Sequence, residues 1–370
     1  MTSPSISISI MAHPRRASEA DALAATMRHL PTRIVYDPDP DGLASTIRAA
    51  RLAWAPWRRE ATHHLVLQDD VFPHQFFEEQ VLRATDAQPD ALLSFFSEWG
   101  SFTSHALRVA AFAGRSWVAQ PDTYLGTQAV LMPAAAARQF ANDLAHVSED
   151  VPDDHAIHEF AYRYGLKHYV SNPNLVEHDV GRSLVGNGVQ GARRATVFLP
   201  HHLADIAWWR RAPLEELHAF PAMHWSTAEA TTYVRAGSNG QRWSIEPTRD
   251  WWGDREGLVQ ARIRDVVARS PWTSQPRVQE TVIGIASVLS GQVRVASSVQ
   301  SVPADSLSRS TAAAAVRTIV PGSMRRRLGA GVHEHDLTRF ASQLQELLSF
   351  CQNLIANSDD RERSLPRVAR

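Results

Sequence analysis

The stretch THHLVLQDDVF, Thr62–Phe72, decides the fold. Leu65, Val66 and Leu67 form a short apolar run, which suits a strand covered on both faces in a parallel sheet. The run ends in Gln68-Asp69-Asp70. Pro73 then opens PHQFFEEQVLRA, with Phe77, Val81 and Ala84 at helical spacing. Two adjacent carboxylates at the end of a buried strand are costly unless a cation or a hydrogen-bond network takes them up. In open α/β sheets this edge is where ligands bind, and hard divalent cations take carboxylate oxygens together with substrate phosphates. The same pair also suits the start of the next helix, as a cap and as charge against its dipole. Both readings stand at this point.

Upstream, Ser5–Met11 alternates Ser and Ile as a strand and breaks at Ala12-His13-Pro14-Arg15-Arg16. Ser18–Leu30 reads as a helix stopped by Pro31, and Thr32–Tyr36 as a second strand. A turn-rich loop, Asp37 to Gly42, leads to a helix over Leu43–Trp54 with Leu43, Ile47 and Ala50 on one face. This β-α-β-α-β rhythm predicts a mostly parallel sheet flanked by helices. Downstream, Ala91–Trp99 reads as a strand, and Gly100–Ser116 is open to either state. Gly126 precedes a strand ending at Pro133, and an alanine-rich helix follows to about Leu144. Asp153 and Asp154 stand at the start of a helix whose Ile157, Phe160, Ala161 and Tyr164 share a face, with Gly165 at its C-cap.

Past about residue 200 the α/β rhythm fades, and a mainly helical, tryptophan-rich region is expected. Of the 11 tryptophans, Trp208, Trp209, Trp225, Trp243, Trp251, Trp252 and Trp272 fall here. Such a cluster serves a core, an interface or a sugar-stacking wall. Trp251-Trp252, beside Asp250, Asp254 and Arg255, is the pair expected to wall a cleft. Ala296–Ala314, rich in Ser and Ala, reads as a linker. Leu337, Phe340, Leu344, Leu347, Leu348, Cys351 and Leu354 form one helical stripe, for packing or for a homodimer. The charged tail from Asn357 is expected to fray. The division expected is a domain over 1–200, an aromatic-rich region over 201–295, and a linker with an amphipathic helix over 296–370.

A net charge of -1 gives no electrostatic sign of a nucleic-acid or membrane partner. The single cysteine excludes an internal disulfide and a cysteine zinc cluster. No basic leader with an apolar core and no membrane-length apolar run is present, so a cytoplasmic protein is expected.

Four features stand in order: LVLQDDVF, GTQAVLMP, VPDDHAIHEFA and NPNLVEHD. Their order over roughly residues 5–185 resembles the GT-A glycosyltransferases, and most of all the lipopolysaccharide and procollagen galactosyltransferase-type enzymes of family 25. Gln68 departs from that group, where an acidic residue is usual. The resemblance implies a nucleotide-diphosphate sugar as donor, Mn²⁺ or Mg²⁺ as cofactor and an acceptor hydroxyl. It implies Asp70 as direct metal ligand, Asp69 at the metal shell or ribose, and His178 as a further metal or diphosphate contact. Asp154, then Asp153, is the implied base that takes the acceptor's proton. Nucleotide recognition is expected from Ala12, His13 and Arg16 after the first strand and Asp37 after the second. Arg48, with Arg51, is expected to reach the diphosphate or to form a solvated basic face; Gly126 would let backbone approach a substrate. Two other readings are a sugar-phosphate nucleotidyltransferase, against which stands the lack of a glycine-rich phosphate cradle in MAHPRRAS, and a non-catalytic scaffold.

Overall fold

The computed structural model describes residues 4–178, 192–215, 217–236, 242–299, 305–324 and 334–363. The first half runs β1 (Ile6–Ala12), α1 (Ala17–Thr26), β2 (Thr32–Tyr36), α2 (Ile47–Ala53), β3 (His63–Gln68), β4 (Val71–Pro73) and α3 (Phe77–Ala87). It continues through β5 (Leu92–Ser94), α4 (Phe102–Phe112), β6 (Trp117–Ala119), β7 (Ala129–Pro133), α5 (Ala134–Leu144), α6 (Asp153–Arg163), β8 (His168–Ser171) and β9 (Val176–His178). The second half holds α7 (Ile206–Trp209), β10 (Ala219–Met223), β11 (Ala230–Ala236) and β12 (Arg242–Pro247). The helices α8 (Glu256–Ala268), α9 (Pro276–Ser298), α10 (Ser306–Met324) and α11 (Glu334–Arg363) complete it.

Among the described residues a seven-stranded sheet runs in the order β2-β1-β3-β7-β5-β8-β6. β1 is parallel to β2 and β3, and β5 to β8; β7 and β6 run antiparallel to their neighbours. The sheet is therefore mostly parallel, with two reversed strands. Every residue of β1 is buried because helices cover both faces. Ile6, Ile8 and Ile10 pack with Leu23 of α1 and Phe77 and Val81 of α3. On the other face α2, α5 and α6 contribute Ile47, Phe140, Ile157 and Phe160. There Ser7 donates to His64 Nδ1 at 2.8 Å, while His64 Nε2 donates to Ala53 O at 2.8 Å. Burial pushes this imidazole down to about 4, so it stays neutral and keeps both bonds.

Several boundaries differ from the sequence reading for identifiable reasons. α1 stops at Thr26 because the Glu78 carboxylate accepts the N–H groups of Arg28, His29 and Leu30, which would otherwise continue the helix. α2 starts at Ile47 rather than Leu43, whose side chain is 90% exposed. The strand expected over Ala91–Trp99 is regular only at Leu92–Ser94. The ambiguous stretch after it holds α4, whose Ser101 cap accepts from Ser104 N.

Among its described residues the expected linker is mostly helix, and residues 300–304 lie outside them. α9 reaches Ser298, and α10 begins at Ser306; its Thr311, Ala314 and Ala315 are buried. Small side chains there permit close approach to α4. Arg108 of α4, fully buried, donates to Trp99 O at 3.0 Å, Ser104 Oγ at 2.7 Å, Ala315 O at 3.2 Å and Thr318 Oγ1 at 3.2 Å. A Cβ on Gly322 would lie 2.2 Å from Trp99 O, so α10 tolerates only glycine at that contact. The stripe on α11 packs within the chain: Phe340, Leu344, Leu347, Leu348 and Cys351 join Val259 and Ile263 of α8 and Ile285 and Leu289 of α9. Of the charged tail expected to fray from Asn357, α11 covers the part to Arg363, and residues 364–370 lie outside the described residues. No helix among the described residues is long and apolar enough to cross a membrane.

The tryptophans divide three ways. Trp208 and Trp209 complete the core of the α/β half, their indole N–H groups donating to Asn172 O at 2.7 Å and Gln80 Oε1 at 2.9 Å. Trp251, Trp252 and Trp272 pack into the helical half. Trp252 is 7% exposed, so the expected cleft wall at Trp251-Trp252 is instead core, drawn in by α8, α9 and α11. Trp225 and Trp243 belong to the three-stranded β10-β11-β12 part.

Candidate functional site

The Asp69-Asp70 pair leaves β3 where β1 also ends. Asp69 Oδ2 accepts the His13 N–H at 2.8 Å, which ties the carboxylate to the loop after β1. Arg16, one turn further along that loop, places Nη1 at 3.4 Å from Asp69 Oδ1 and 3.0 Å from Asp70 Oδ2. β4 pairs antiparallel with β9, opposing Val71 to His178, and this sets His178 Nε2 at 3.3 Å from Asp70 Oδ2. The capping alternative does not hold, because β4 intervenes and α3 is preceded by Phe76 with no side-chain cap bond. Burial raises the Asp69 carboxyl above its ordinary value, against the pull of the His13 N–H. For Asp70 burial acts the same way, but His178 and Arg16 outweigh it and hold the group below its ordinary value. The two neighbouring acids therefore differ in acidity, because His178 faces only Asp70 while Arg16 draws both down.

Asp37 follows β2 and lies 9% exposed against Arg48. Arg48 Nε and Nη2 donate to its two oxygens at 3.0 Å each, and the same guanidinium bonds Leu43 O, Asp39 O and Glu149 Oε2. Hydrogen bonding to Asp37 raises the Arg48 pKa. Arg51 spends its donors on Leu144 O, Val147 O and Glu149. Neither arginine forms the solvated face expected, and neither is directed to a diphosphate. Both brace the loops around Glu149.

Gly126 sits close under Phe96, where a Cβ would meet Phe96 Cδ1 at 3.3 Å and Gln128 Oε1 at 3.2 Å. Its backbone is not left-handed, so tight packing rather than a turn asks for glycine here. Gln68, which stands where an acid was expected, donates from Nε2 to Thr127 Oγ1 at 2.8 Å. Thr127 in turn bonds the Asp153 carboxyl, which also bonds Thr46, and Thr46 Oγ1 accepts from Asp153 N at 3.0 Å. Asp153 is buried, and desolvation, with the charge of Asp154 next, pushes it up to about 6. Its backbone bond to Thr46 ties the start of α6 to the residue before α2. Asp154 is partly buried; burial raises its carboxyl above the ordinary value while His155 and Arg193 pull the other way. Neither acid caps α6, since Pro152 is the N-cap residue.

Two cavities bring these groups together. The smaller, about 130 Å³, is lined by Ala12, His13, Arg16, Asp37, Asp69 and Asp70, with Ser45 and Thr46 at its edge. The larger, about 610 Å³, shares Ser45 and Thr46 and is lined by Asp154, Glu98, Arg193, Trp225 and Tyr233 among others. Sequence reasoning missed the shared Ser45-Thr46 rim, although two hydroxyl residues before an alanine-rich helix are a start signal. It also missed Trp225, one tryptophan among many.

Among the described residues no group of three or more His, Cys, Asp and Glu side chains forms a ready metal cluster. Two observations nevertheless fit a cation at Asp70. Its buried Oδ1 has no hydrogen-bond partner among the described residues, and neither has Nδ1 of buried His178, whose Nε2 faces Asp70 Oδ2 at 3.3 Å. A hard carboxylate oxygen and an imidazole are donors that a divalent ion accepts. A scan against protein-family models and a search of curated proteins both give no match for this chain.

Proposed function

We propose that the chain is a metal-dependent glycosyltransferase of the GT-A type, moving a sugar from a nucleotide-diphosphate donor to an acceptor hydroxyl with inversion. One observation carries this reading: Arg16, Asp37, Asp69 and Asp70, from three strand ends, line one cavity that adjoins the cavity of Asp154 through Ser45 and Thr46. Ligands of open α/β sheets bind at such strand ends.

Three carboxylates and one arginine line the smaller cavity, and Arg48 already neutralises Asp37. A diphosphate would still face Asp69 and Asp70, so its entry calls for added positive charge. Asp70, Asp69 and His178 would hold Mn²⁺ or Mg²⁺, which when bound neutralises the charge developing on the departing diphosphate. Arg16 is the cationic side chain for the diphosphate itself, and the His13 loop shapes the wall on that side. Asp37 and Arg48 keep the nucleotide wall rigid rather than touching phosphate. Asp154, with its raised carboxyl, takes the acceptor proton as the hydroxyl attacks; Asp153 positions the helix that carries it.

The test is to offer the full chain a panel of nucleotide sugars with Mn²⁺ and identify the product. Release of nucleoside diphosphate is expected. Pyrophosphate release from sugar phosphate and nucleoside triphosphate would assign a nucleotidyltransferase, and failure to bind any nucleotide with metal would leave a scaffold.

A further inference from the structure

The β10–β11 turn carries an aromatic residue into the larger cavity, and its construction is unusual. Ala228 has φ 57°, the only non-glycine residue in the left-handed region among those described. Such a backbone persists only where surroundings over-determine it. Here His224 does so: its N–H donates to Glu229 O at 2.8 Å and its carbonyl accepts Ala228 N at 2.9 Å. Its Nδ1 accepts from Ser226 Oγ at 3.0 Å and Thr227 N at 3.3 Å. The imidazole lies 6.2 Å from the Trp225 ring at 20°, and edge-on to Phe102 at 6.0 Å. Phe102 stacks flat on Tyr233 at 4.1 Å, and Tyr233 on Trp243 at 5.1 Å. Trp225, 44% exposed, is thus held by a fixed turn on an aromatic bed, in a wall it shares with Asp154 and Glu98.

We infer that Trp225 is a stacking platform for a pyranose-bearing acceptor. The inference rests on the transferase reading only in the word acceptor; the binding surface stands on its own geometry. A pyranose offers an apolar C–H face with hydroxyl groups around its rim. An indole face takes the C–H side, and carboxylates such as Glu98 and Asp154 accept hydroxyl hydrogens. An exposed indole face beside two carboxylates matches a sugar's mixed C–H and hydroxyl surface better than it matches a flat apolar ring.

The experiment presents the full chain, without nucleotide, to an array of pyranose oligosaccharides, and then titrates the best-retained one. Trp225→Ala is expected to bind about tenfold more weakly or worse, with Trp225→Tyr restoring most of the affinity because a ring face returns. Melting curves of both variants accompany the titration; if Trp225→Ala unfolds, Trp225→Tyr against Trp225→Leu decides the same question. Equal affinity for the wild type and Trp225→Ala overturns the platform, and so does retention of no saccharide by the wild type. Saccharide binding dependent on Trp225 without any nucleotide binding leaves the platform standing and removes the transferase reading. Nucleotide-sugar turnover indifferent to Trp225 does the reverse.

Discussion

The smaller cavity is built from charge and the larger from shape. In the smaller, His13, Arg16, Asp69 and Asp70 hold one another, with His178 behind Asp70, through contacts of 2.8–3.4 Å at the ends of strands. In the larger, the wall comes from both halves of the chain: Asp154 from α6, Glu98 from the loop that α10 and Arg108 clamp, and Trp225 from a strained turn. The difference teaches where variation can enter. The charged cavity fails if one member changes, because a buried ion left unpaired is costly. The shaped cavity can exchange a wall residue and change only what it binds.

The sharpest way to break the contrast is Asp70→Ala. It removes the carboxylate shared by Arg16 and His178, and turnover of nucleotide sugar should fall about ten-thousandfold, since metal-assisted charge stabilisation is worth several kcal/mol. Initial-rate assays with Mn²⁺ measure this; activity surviving intact in chelator would break the assignment. Asp154→Asn should lower kcat by about a thousandfold, within the range of general-base catalysis, while nucleotide affinity measured by calorimetry stays within about twofold. A normal kcat would move the base elsewhere.

Stability changes sharpen the other side. Trp252→Ala should cost about 4 kcal/mol in urea unfolding, as for a large aromatic lost from a core, with acceptor affinity unmoved. The opposite pattern would return this residue to the cleft. Asp153 gives a smaller, pH-dependent effect. Its carboxyl is pushed up to about 6 in the fold, so its contribution is present below the ordinary carboxyl range and is lost as pH rises through about 6. From about pH 4 to about pH 7 the wild type should lose on the order of 3 kcal/mol relative to Asp153→Asn. Parallel stability curves for the two proteins would show that Asp153 is not held protonated.

The charged cavity was legible because strand ends are punctuated in the sequence. An apolar run closing on Asp69-Asp70, and Ile-Ser alternation breaking at His13-Pro14, mark where side chains reach the sheet edge. Arg48 was not legible as a brace, since its pairing with Asp37 depends on a loop whose path composition does not give. The larger cavity was harder still. Trp225 and Trp252 are the same residue type in similar polar company, and only the docking of α8, α9 and α11 makes one core and leaves the other in the cavity wall. The Ser/Ala stretch misled for a related reason. Small residues suit a flexible segment, and they equally suit a helix pressed against α4.

Calorimetric titration of a nucleoside diphosphate into the wild type and Asp70→Asn, each with Mn²⁺ and with chelator, tests the central claim most directly. Binding is expected in the wild type with Mn²⁺ alone, and in neither condition for Asp70→Asn. Equal affinity in chelator, or binding that ignores the loss of Asp70, would contradict a metal–diphosphate site at the end of β3.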